Sequence, residues 1–143
     1  MECTCTRGAR DSTQCLAPTK VTGGGIGEAV VVQVAAGDDH SMALTATGVL
    51  YSWGEGSTGQ LGHGGTENVA VPRVVDGIGA VVGMTGGTSH SLATTTEGRV
   101  LAFGLDGWGA LGLGAEVYEV VTPTVIDGIT MGGGQGEEKE GKE

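Results

Sequence analysis

Short apolar runs separated by glycine-rich segments dominate the middle of the sequence. The run AVVVQVAAG is rich in β-branched residues and ends at glycine, and HSMALTATGVLYSWG follows it with alternating apolar and small polar residues. Alternation with a period of two, interrupted by glycine, predicts β-strands. We predict strands at residues 30–36, 40–45 and 49–53 and a fourth that ends near 71–75. No stretch has a sustained period of 3.6 residues, so the predicted fold class is all-β.

The second and third predicted strands form a hairpin around the turn Ala46-Thr47-Gly48. Glycine at this point suits a backbone that needs a positive φ. Alternation predicts one bulky face and one face of small residues. The predicted bulky face carries Met42, Leu44, Tyr51 and Trp53, echoed by Leu92, Thr94, Leu101 and Phe103. The predicted small face carries Ser41, Ala43 and Ser52, echoed by Ser91, Ala93 and Ala102. Because neither face is strongly polar, we expect the sheet to be buried on both sides.

The whole pattern occurs twice, at a constant offset of 50 residues. Residues 31–64 and 81–114 are identical at 13 of 34 positions, and after a one-residue insertion VPRVVDGI (71–78) corresponds to TPTVIDGI (122–129). A fixed period of this size indicates a repeat architecture, in which each unit buries its faces against its neighbours. The residues that form the repeat signature are Gly37, His40, Ser41, Gly48, Trp53, Gly54, Gly59, Leu61, Gly62, Pro72, Gly87, His90, Ser91, Gly98, Gly104, Gly109, Leu111, Gly112 and Pro123.

Three blocks in the first repeat are familiar: G-x-x-H-S-x-A-L-T, G-x-x-Y-x-W-G and G-Q-L-G-x-G, followed by a proline. They resemble the repeat of the regulator of chromosome condensation family. The second repeat is looser, with Thr94, Phe103 and Ala110 where the first has Leu, Trp and Gln. The resemblance covers about residues 18–129 and implies a β-propeller of four-stranded antiparallel blades, seven of them in full-length members of the family.

Two repeats, at about 30–78 and 80–129, are fewer than a closed ring needs. We therefore expect a partial propeller or a fragment of a longer protein, with open blade faces through which the chain self-associates. The segment that begins at Pro18 is similar to the end of each repeat and is predicted to be the last strand of an earlier repeat, a stub of a third blade. Residues 1–17 and 130–143 lack apolar periodicity and are predicted to be disordered tails.

Charge argues against nucleic acid as a direct partner. The chain of 143 residues has a formal net charge of −10, and between Val31 and Ile129 only Arg73 and Arg99 oppose ten acidic residues. Binding to a phosphate backbone requires a clustered basic surface, which this segment lacks.

The other terminal features predict an intracellular protein, in the cytoplasm or nucleus. No apolar run is long enough to cross a bilayer, and the first residues lack the apolar core of a signal peptide, so we expect no membrane partner. Cys3, Cys5 and Cys15 all precede the repeats, without a fourth ligand at a zinc-site spacing. We interpret them as free thiols in a reducing compartment.

Candidate chemical motifs are better explained by structure than by catalysis. Residues 54–59 fit G-x-G-x-x-G, but no helix pattern follows to hold a pyrophosphate. Asp39, His40 and Ser41 are neighbours on a predicted strand, so their side chains cannot converge as a triad, and His-Ser recurs at residues 90–91. His63 has no echo and is predicted to be an unpartnered loop residue. We expect no catalytic residue, no cofactor and no metal site.

The candidate partner-binding loop contains Asp106 and Trp108. Trp108 lies between two glycines and corresponds to Thr58 in the first repeat. It is either a binding anchor or a residue that packs onto an adjacent blade. Two functions remain open. The resemblance implies a non-catalytic protein-interaction module, like the propeller domains attached to ubiquitin ligases. The alternative is guanine-nucleotide exchange on a Ran-type small GTPase, the activity of the family's founding member.

Overall fold

The computed structural model describes residues 17–114 and 116–132, and eight strands form two antiparallel sheets. The strands are β1 (Val31–Ala36), β2 (His40–Thr45), β3 (Leu50–Gly54), β4 (Val69–Val74), β5 (Val81–Gly86), β6 (His90–Thr95), β7 (Arg99–Leu105) and β8 (Glu119–Thr130). Each sheet has its four strands in sequential order, and we call the sheet of β1–β4 blade 1 and the sheet of β5–β8 blade 2. The predicted all-β fold with two four-stranded antiparallel blades is confirmed. No α-helix occurs within the described ranges, which contain only two 3-10 turns, Ile26–Glu28 and Gly107–Gly109.

The hairpin turns have the predicted backbone conformation. Gly48 has φ 82° and Gly98 has φ 78°, in the left-handed region that favours glycine. The Gly48 N–H donates to the Thr45 carbonyl at 3.0 Å, and the Gly98 N–H donates to the Thr95 carbonyl at 2.9 Å. The two repeats therefore close their central hairpins in the same way.

The register of the hairpins corrects the predicted assignment of side chains to faces. Met42 lies opposite Ser52, and Ala43 lies opposite Tyr51. Directly opposed residues of an antiparallel pair share a face, so grouping Tyr51 and Trp53 with Met42 was wrong, and the same error applies to their echoes in blade 2. Alternation gives faces within one strand, but the turn sets the register between strands.

Each blade has a histidine face and a serine face, named after the residues at the start of its second strand. The histidine face carries His40, Met42, Leu44, Leu50 and Ser52 in blade 1 and His90, Leu92, Thr94, Val100 and Ala102 in blade 2. The serine face carries Ser41, Ala43, Tyr51 and Trp53 in blade 1 and Ser91, Ala93, Leu101 and Phe103 in blade 2.

The main hydrophobic core lies between the blades. The histidine face of blade 1 packs against the serine face of blade 2, and one buried cluster unites Met42, Leu44, Leu50, Val75, Val81, Met84, Ala93, Leu101 and Phe103. Burying a side chain of this size stabilises a protein by roughly 1.5–3 kcal/mol. Each blade therefore depends on its neighbour for its core, as expected for a repeat protein.

The segment before β1 is not the predicted strand of a third blade. Residues 17–23 have no strand pairing, and the chain then forms the 3-10 turn Ile26–Glu28. Ile26 is buried against Ala43 and Tyr51 on the serine face of blade 1. A strand is stable only when a partner strand accepts its hydrogen bonds, so the segment's similarity to a repeat end does not make it a strand here.

The predicted tails and the three cysteines fall mostly outside the described residues. Residues 1–16, which include Cys3, Cys5 and Cys15, and residues 133–143 belong to this group. Strand β8 ends at Thr130, and the Met131 N–H donates to the Gly98 carbonyl at 2.9 Å. Within the part of the chain that is described, no helix is long and apolar enough to cross a membrane.

Replacing Gly48 or Gly98 by Val should lower the free energy of unfolding by roughly 1–3 kcal/mol, because a β-branched residue is strained at positive φ. An added Cβ would also meet the Ala80 Cβ at 3.0 Å from Gly48 and the Met131 carbonyl oxygen at 2.9 Å from Gly98. Denaturant titration of the whole chain measures the change. Gly48→Asn and Gly98→Asn are the matched controls, since Asn tolerates positive φ, and they should cost clearly less. An equal loss for Val and Asn would contradict the backbone argument.

Candidate functional site

A hydrogen bond from His40 to Ser91 joins the two blades. The His40 Nε2 lies 2.8 Å from the Ser91 Oγ, and the Ser91 hydroxyl donates to the Gln60 carbonyl oxygen at 2.9 Å. Since that hydroxyl has one hydrogen, it accepts from His40, so the Nε2 of the imidazole carries a proton. Of the two His-Ser pairs for which structural hydrogen bonding was predicted, His40 and Ser91 form such a bond, which runs from the histidine of one blade to the serine of the next.

Gly37 makes room for the His40 ring. A Cβ at this position would overlap the imidazole of His40 and the carbonyl oxygen of Gly87 in the neighbouring blade. Only glycine allows this close approach. The spacing G-x-x-H-S is thus explained by a contact between blades: glycine admits the ring, histidine donates, and serine receives the histidine of the preceding blade.

The surroundings of His40 suit a structural role better than proton transfer. Its side chain is buried, and its Nδ1 has no hydrogen-bonding partner among the described residues. Burial, followed by the nearby charge of His90, lowers the pKa of His40 below 6.5, because a proton on Nδ1 would create a buried and unsatisfied cation. Ser41 lies opposite Trp53 on the other face of the sheet, so Asp39, His40 and Ser41 do not converge.

His63 has a partner, contrary to the prediction. Its Nε2 lies 2.8 Å from the Ser52 Oγ, and the Ser52 hydroxyl donates to the Leu61 carbonyl oxygen at 2.6 Å. Burial, followed by the charge of Arg73, lowers the pKa of His63. Comparison of the two repeats did not reveal this contact. Ala102 stands where blade 1 has Ser52, so neither His63 nor Ser52 has a counterpart in the second repeat.

His63 and Arg73 also line a cleft of about 300 Å³ with Gly62, Val74, Asp76, Gly77, Ile78, Thr122 and Pro123. The cleft lies where both blades meet. Within residues 17–114 and 116–132, no cluster of three His, Cys, Asp or Glu side chains could hold a metal ion. Residues 54–59 lead into a turn-rich loop rather than a helix, so the G-x-G-x-x-G pattern has no pyrophosphate site.

The loop between β3 and β4 of blade 1 packs across blade 2. The Thr58 hydroxyl oxygen lies 3.3 Å from the Ser89 carbonyl oxygen, and the Gly64 N–H donates to the Val121 carbonyl at 2.9 Å. Gln60, which sequence reasoning did not single out, is buried and accepts from both the N–H and the hydroxyl of Thr58. The G-Q-L-G block of the repeat was the sequence signal that could have identified Gln60 as a structural residue of this loop.

The corresponding loop of blade 2, between β7 and β8, has a different surface. Trp108 is fully exposed, with a relative accessibility of 106%, and its φ of 71° is the one positive value of a non-glycine residue among those described. Asp106 is only 7% exposed, and its Oδ1 accepts from the Leu111 N–H at 3.0 Å. Asp106 therefore shapes the loop, while Trp108 projects from it.

Two more exposed apolar side chains accompany Trp108. Leu105 lies opposite Glu119 at the end of the β7–β8 pair, and the Asp106 N–H donates to the Tyr118 carbonyl at 2.7 Å. Leu105 and Tyr118 are both exposed. We call Leu105, Trp108 and Tyr118 the tryptophan patch. Sequence reasoning missed Tyr118 because ten residues separate it from Trp108.

The lowered pKa of His40 predicts a loss of stability in mild acid. Below pH 6.5 the unfolded chain binds more protons than the folded chain, so the stability from neutral His40 is complete above pH 6.5 and falls as the pH drops toward the folded pKa. Unfolding midpoints measured from about pH 7.5 to 5 should fall less steeply in His40→Gln, which keeps a donor but does not titrate. The paired variant His63→Gln separates the contribution of His63, which has the same sign. Identical pH dependence in wild type and His40→Gln would contradict the assignment.

Comparison with known sequences identifies the repeats. Residues 47–94 match the sequence model of the Regulator of chromosome condensation (RCC1) repeat, and residues 31–60 match a second model with that description. The E3 ubiquitin-protein ligase HERC2 of Homo sapiens is 50% identical over 48 residues, which are 34% of this chain and 1% of that protein. Protein RCC2 of Homo sapiens is 49% identical over 39 residues, which are 27% of this chain and 8% of that protein. The chain spans a small part of each relative.

Solved structures extend the similarity to the fold. Prp20p from Saccharomyces cerevisiae superposes with a TM-score of 0.65 and 26% identity, covering 70% of this chain and 26% of Prp20p. Human WBSCR16 superposes with a TM-score of 0.62 and 31% identity, covering 68% of this chain and 25% of WBSCR16. The aligned part is about a quarter of either structure, as two blades of a larger ring would be. With its two blades, its His-Ser contact and these matches, the chain belongs to the regulator of chromosome condensation (RCC1) repeat family and forms a partial β-propeller.

Proposed function

We propose that this chain is a non-catalytic protein-binding module that docks through the tryptophan patch. The observation that carries the proposal is the conformation of Trp108, which combines full exposure with a φ of 71°. A bulky residue at positive φ costs of order 1–3 kcal/mol and persists where the strain serves a purpose. No burial compensates for that cost in the chain itself. A partner that covers the indole would supply the compensation, and tryptophan is among the commonest interface anchors.

The surroundings of the patch favour a protein partner with a basic rim. Residues 31–129 contain ten acidic residues and two arginines, and Arg99 already contacts Glu97 at 2.6 Å. Complementary charge around an apolar centre accelerates association and discriminates between partners. The same acidity disfavours direct binding of nucleic acid.

The absence of catalysis and the intracellular setting are also part of the proposal. The two histidines with lowered pKa values, His40 and His63, are engaged with serine hydroxyls that themselves donate to carbonyl oxygens. Serine hydroxyls held in this way are poor nucleophiles, because the histidine donates to them and cannot act as their base. The cysteine pattern supports a reducing compartment, either cytoplasm or nucleus.

A second candidate function is guanine-nucleotide exchange on a Ran-type small GTPase. The family resemblance motivates it, and the structurally similar Prp20p is described by its binding to Gsp1p and histones. We rank it second because the chain covers only 26% of Prp20p. Two blades offer a small docking surface, and interfaces well below ~1,000 Å² are usually weak.

Substituting Trp108 should change binding and stability in opposite directions. Trp108→Asn should weaken capture of a bound partner at least fivefold, or ~1 kcal/mol, because the anchor is lost. It should also raise the free energy of unfolding, by roughly 1 kcal/mol, since Asn tolerates positive φ. Quantitative affinity capture and denaturant titration of the same protein measure both effects.

Thr96→Ala is the matched control for this experiment. Thr96 is exposed in the turn between β6 and β7, at the opposite end of β7 from Trp108 and outside both broad faces, so its truncation should leave capture unchanged. Equal capture by wild type and Trp108→Asn would overturn the role of the patch. A partner lost equally in both variants would indicate nonspecific adhesion.

An exchange assay separates the two candidate functions. An exchange factor must stabilise the nucleotide-free GTPase relative to the nucleotide-bound form, since only differential binding lowers the barrier. We expect catalytic amounts of the chain to leave the release of labelled nucleotide from a Ran-type GTPase unchanged. Multiple-turnover acceleration would establish the second candidate in place of the first.

A further inference from the structure

The contact between the two blades is a template with two complementary halves. One half is the histidine face of blade 1, where His40, Met42 and Leu44 are buried, and the other is the serine face of blade 2, where Ser91 and Phe103 are fully buried. The contact is directional because the histidine always comes from one face and the serine from the other.

Each of these two kinds of face occurs a second time in the chain: a histidine face on blade 2 and a serine face on blade 1. His90, Leu92 and Thr94 on the histidine face of blade 2 are only half-buried, as are Ser41 and Trp53 on the serine face of blade 1. Across the described ranges, the side chains of Ser41 and His90 form no hydrogen bond. Their counterparts Ser91 and His40 are buried and bonded to each other.

We infer that a second copy of this chain docks head to tail, with the serine face of its blade 1 on the histidine face of blade 2. The inference deepens the proposed protein-binding function and rests on it, because it names a partner for the open face of blade 2, the blade from which the loop of Trp108 projects. His90 of one copy donates to Ser41 of the next, as His40 donates to Ser91 within the chain.

The free histidine is already in the position that the template requires. A Cβ at Gly87 would overlap the ring of His90, just as a Cβ at Gly37 would overlap the ring of His40. The ring of His90 therefore lies over its glycine before any partner arrives. A preorganised donor loses little side-chain entropy on docking, so more of the contact energy remains for association.

The other parts of the template are also present at the open ends. Ile26 packs on the serine face of blade 1, and Ile78 packs against the cluster that includes the serine face of blade 2, so the incoming face has the same supporting residue. Thr58 contacts the carbonyl of Ser89 across the internal interface. Trp108 occupies the sequence position of Thr58, so its loop would lie beside the β1–β2 turn of the incoming copy.

A contact between unlike faces predicts an assembly that continues beyond a dimer unless the rotation between copies closes a ring. Sedimentation velocity or light scattering over a concentration series should show the mass rising from that of the 14.2 kDa monomer through more than one larger species. A symmetric contact between two identical faces would stop at the dimer. A monomer at every concentration overturns the inference, while Trp108-dependent capture of another protein would leave the proposed function intact.

Blocking one end at a time gives the decisive experiment. Ser41→Arg places a cation on the serine face of blade 1, and Thr94→Arg places one on the histidine face of blade 2. Each variant alone should be monomeric, because it keeps only one of the two complementary faces. An equimolar mixture should form a discrete dimer with twice the monomer mass, through the unblocked face of each.

The matched controls are Ser57→Arg and Thr96→Arg, at exposed loop and turn positions outside both faces, which should assemble as wild type does. His90→Ala and Ser41→Ala remove only the proposed hydrogen bond and should each weaken association about fivefold without blocking it. Dimerisation of either Arg variant alone, or a mixture that stays monomeric, overturns the head-to-tail arrangement. Circular dichroism and an unfolding transition identify any Arg variant that fails to fold. If one fails, the alanine variants at His90 and Ser41 test the arrangement in its place.

Discussion

The hydrogen bond from His40 to Ser91 fixes how one sheet sits on the next. Apolar burial between the blades supplies most of the energy, but burial alone tolerates sliding of one face over the other. The imidazole can donate to the hydroxyl in only one register, because the hydroxyl is itself bound to the Gln60 carbonyl and the ring is confined above Gly37. Core packing between the blades and the path of the blade 1 loop across blade 2 both follow from that register.

The strands and turns of this protein are local properties, which explains why the sequence predicts them well. Period-two alternation and glycine at positive φ are encoded within a few residues, and the 50-residue offset doubles the signal. The assignment of faces failed because Tyr51 and Met42 belong to different strands, whose register depends on the turn. The segment around Ile26 failed for a related reason. Its similarity to a repeat end is real, but residues 17–23 pair with no strand, and the chain then turns so that Ile26 packs on the serine face of blade 1.

The candidate site was only partly predictable from the sequence. Trp108 could be singled out from the sequence because it differs from Thr58 at the same position of the first repeat. Its exposure and its strained backbone depend on what packs beside the loop, and sequence comparison does not give that information. Asp106 and Trp108 share a loop and have different roles, since one binds the backbone of Leu111 and the other faces solvent. His63 and Ser52 were missed because their contact exists in one repeat only, so the internal comparison that exposed the other signature residues gave no sign of it.

The placement of histidine and serine on opposite faces of one sheet has a consequence for how such chains lengthen. A single repeat encodes both a donor for the unit after it and an acceptor for the unit before it. Tandem duplication of the coding segment therefore yields a new junction that is already complementary, with no compensating substitution needed. Loss of a unit leaves ends with the same chemistry as before. The number of blades can therefore change while the rule for joining them stays constant.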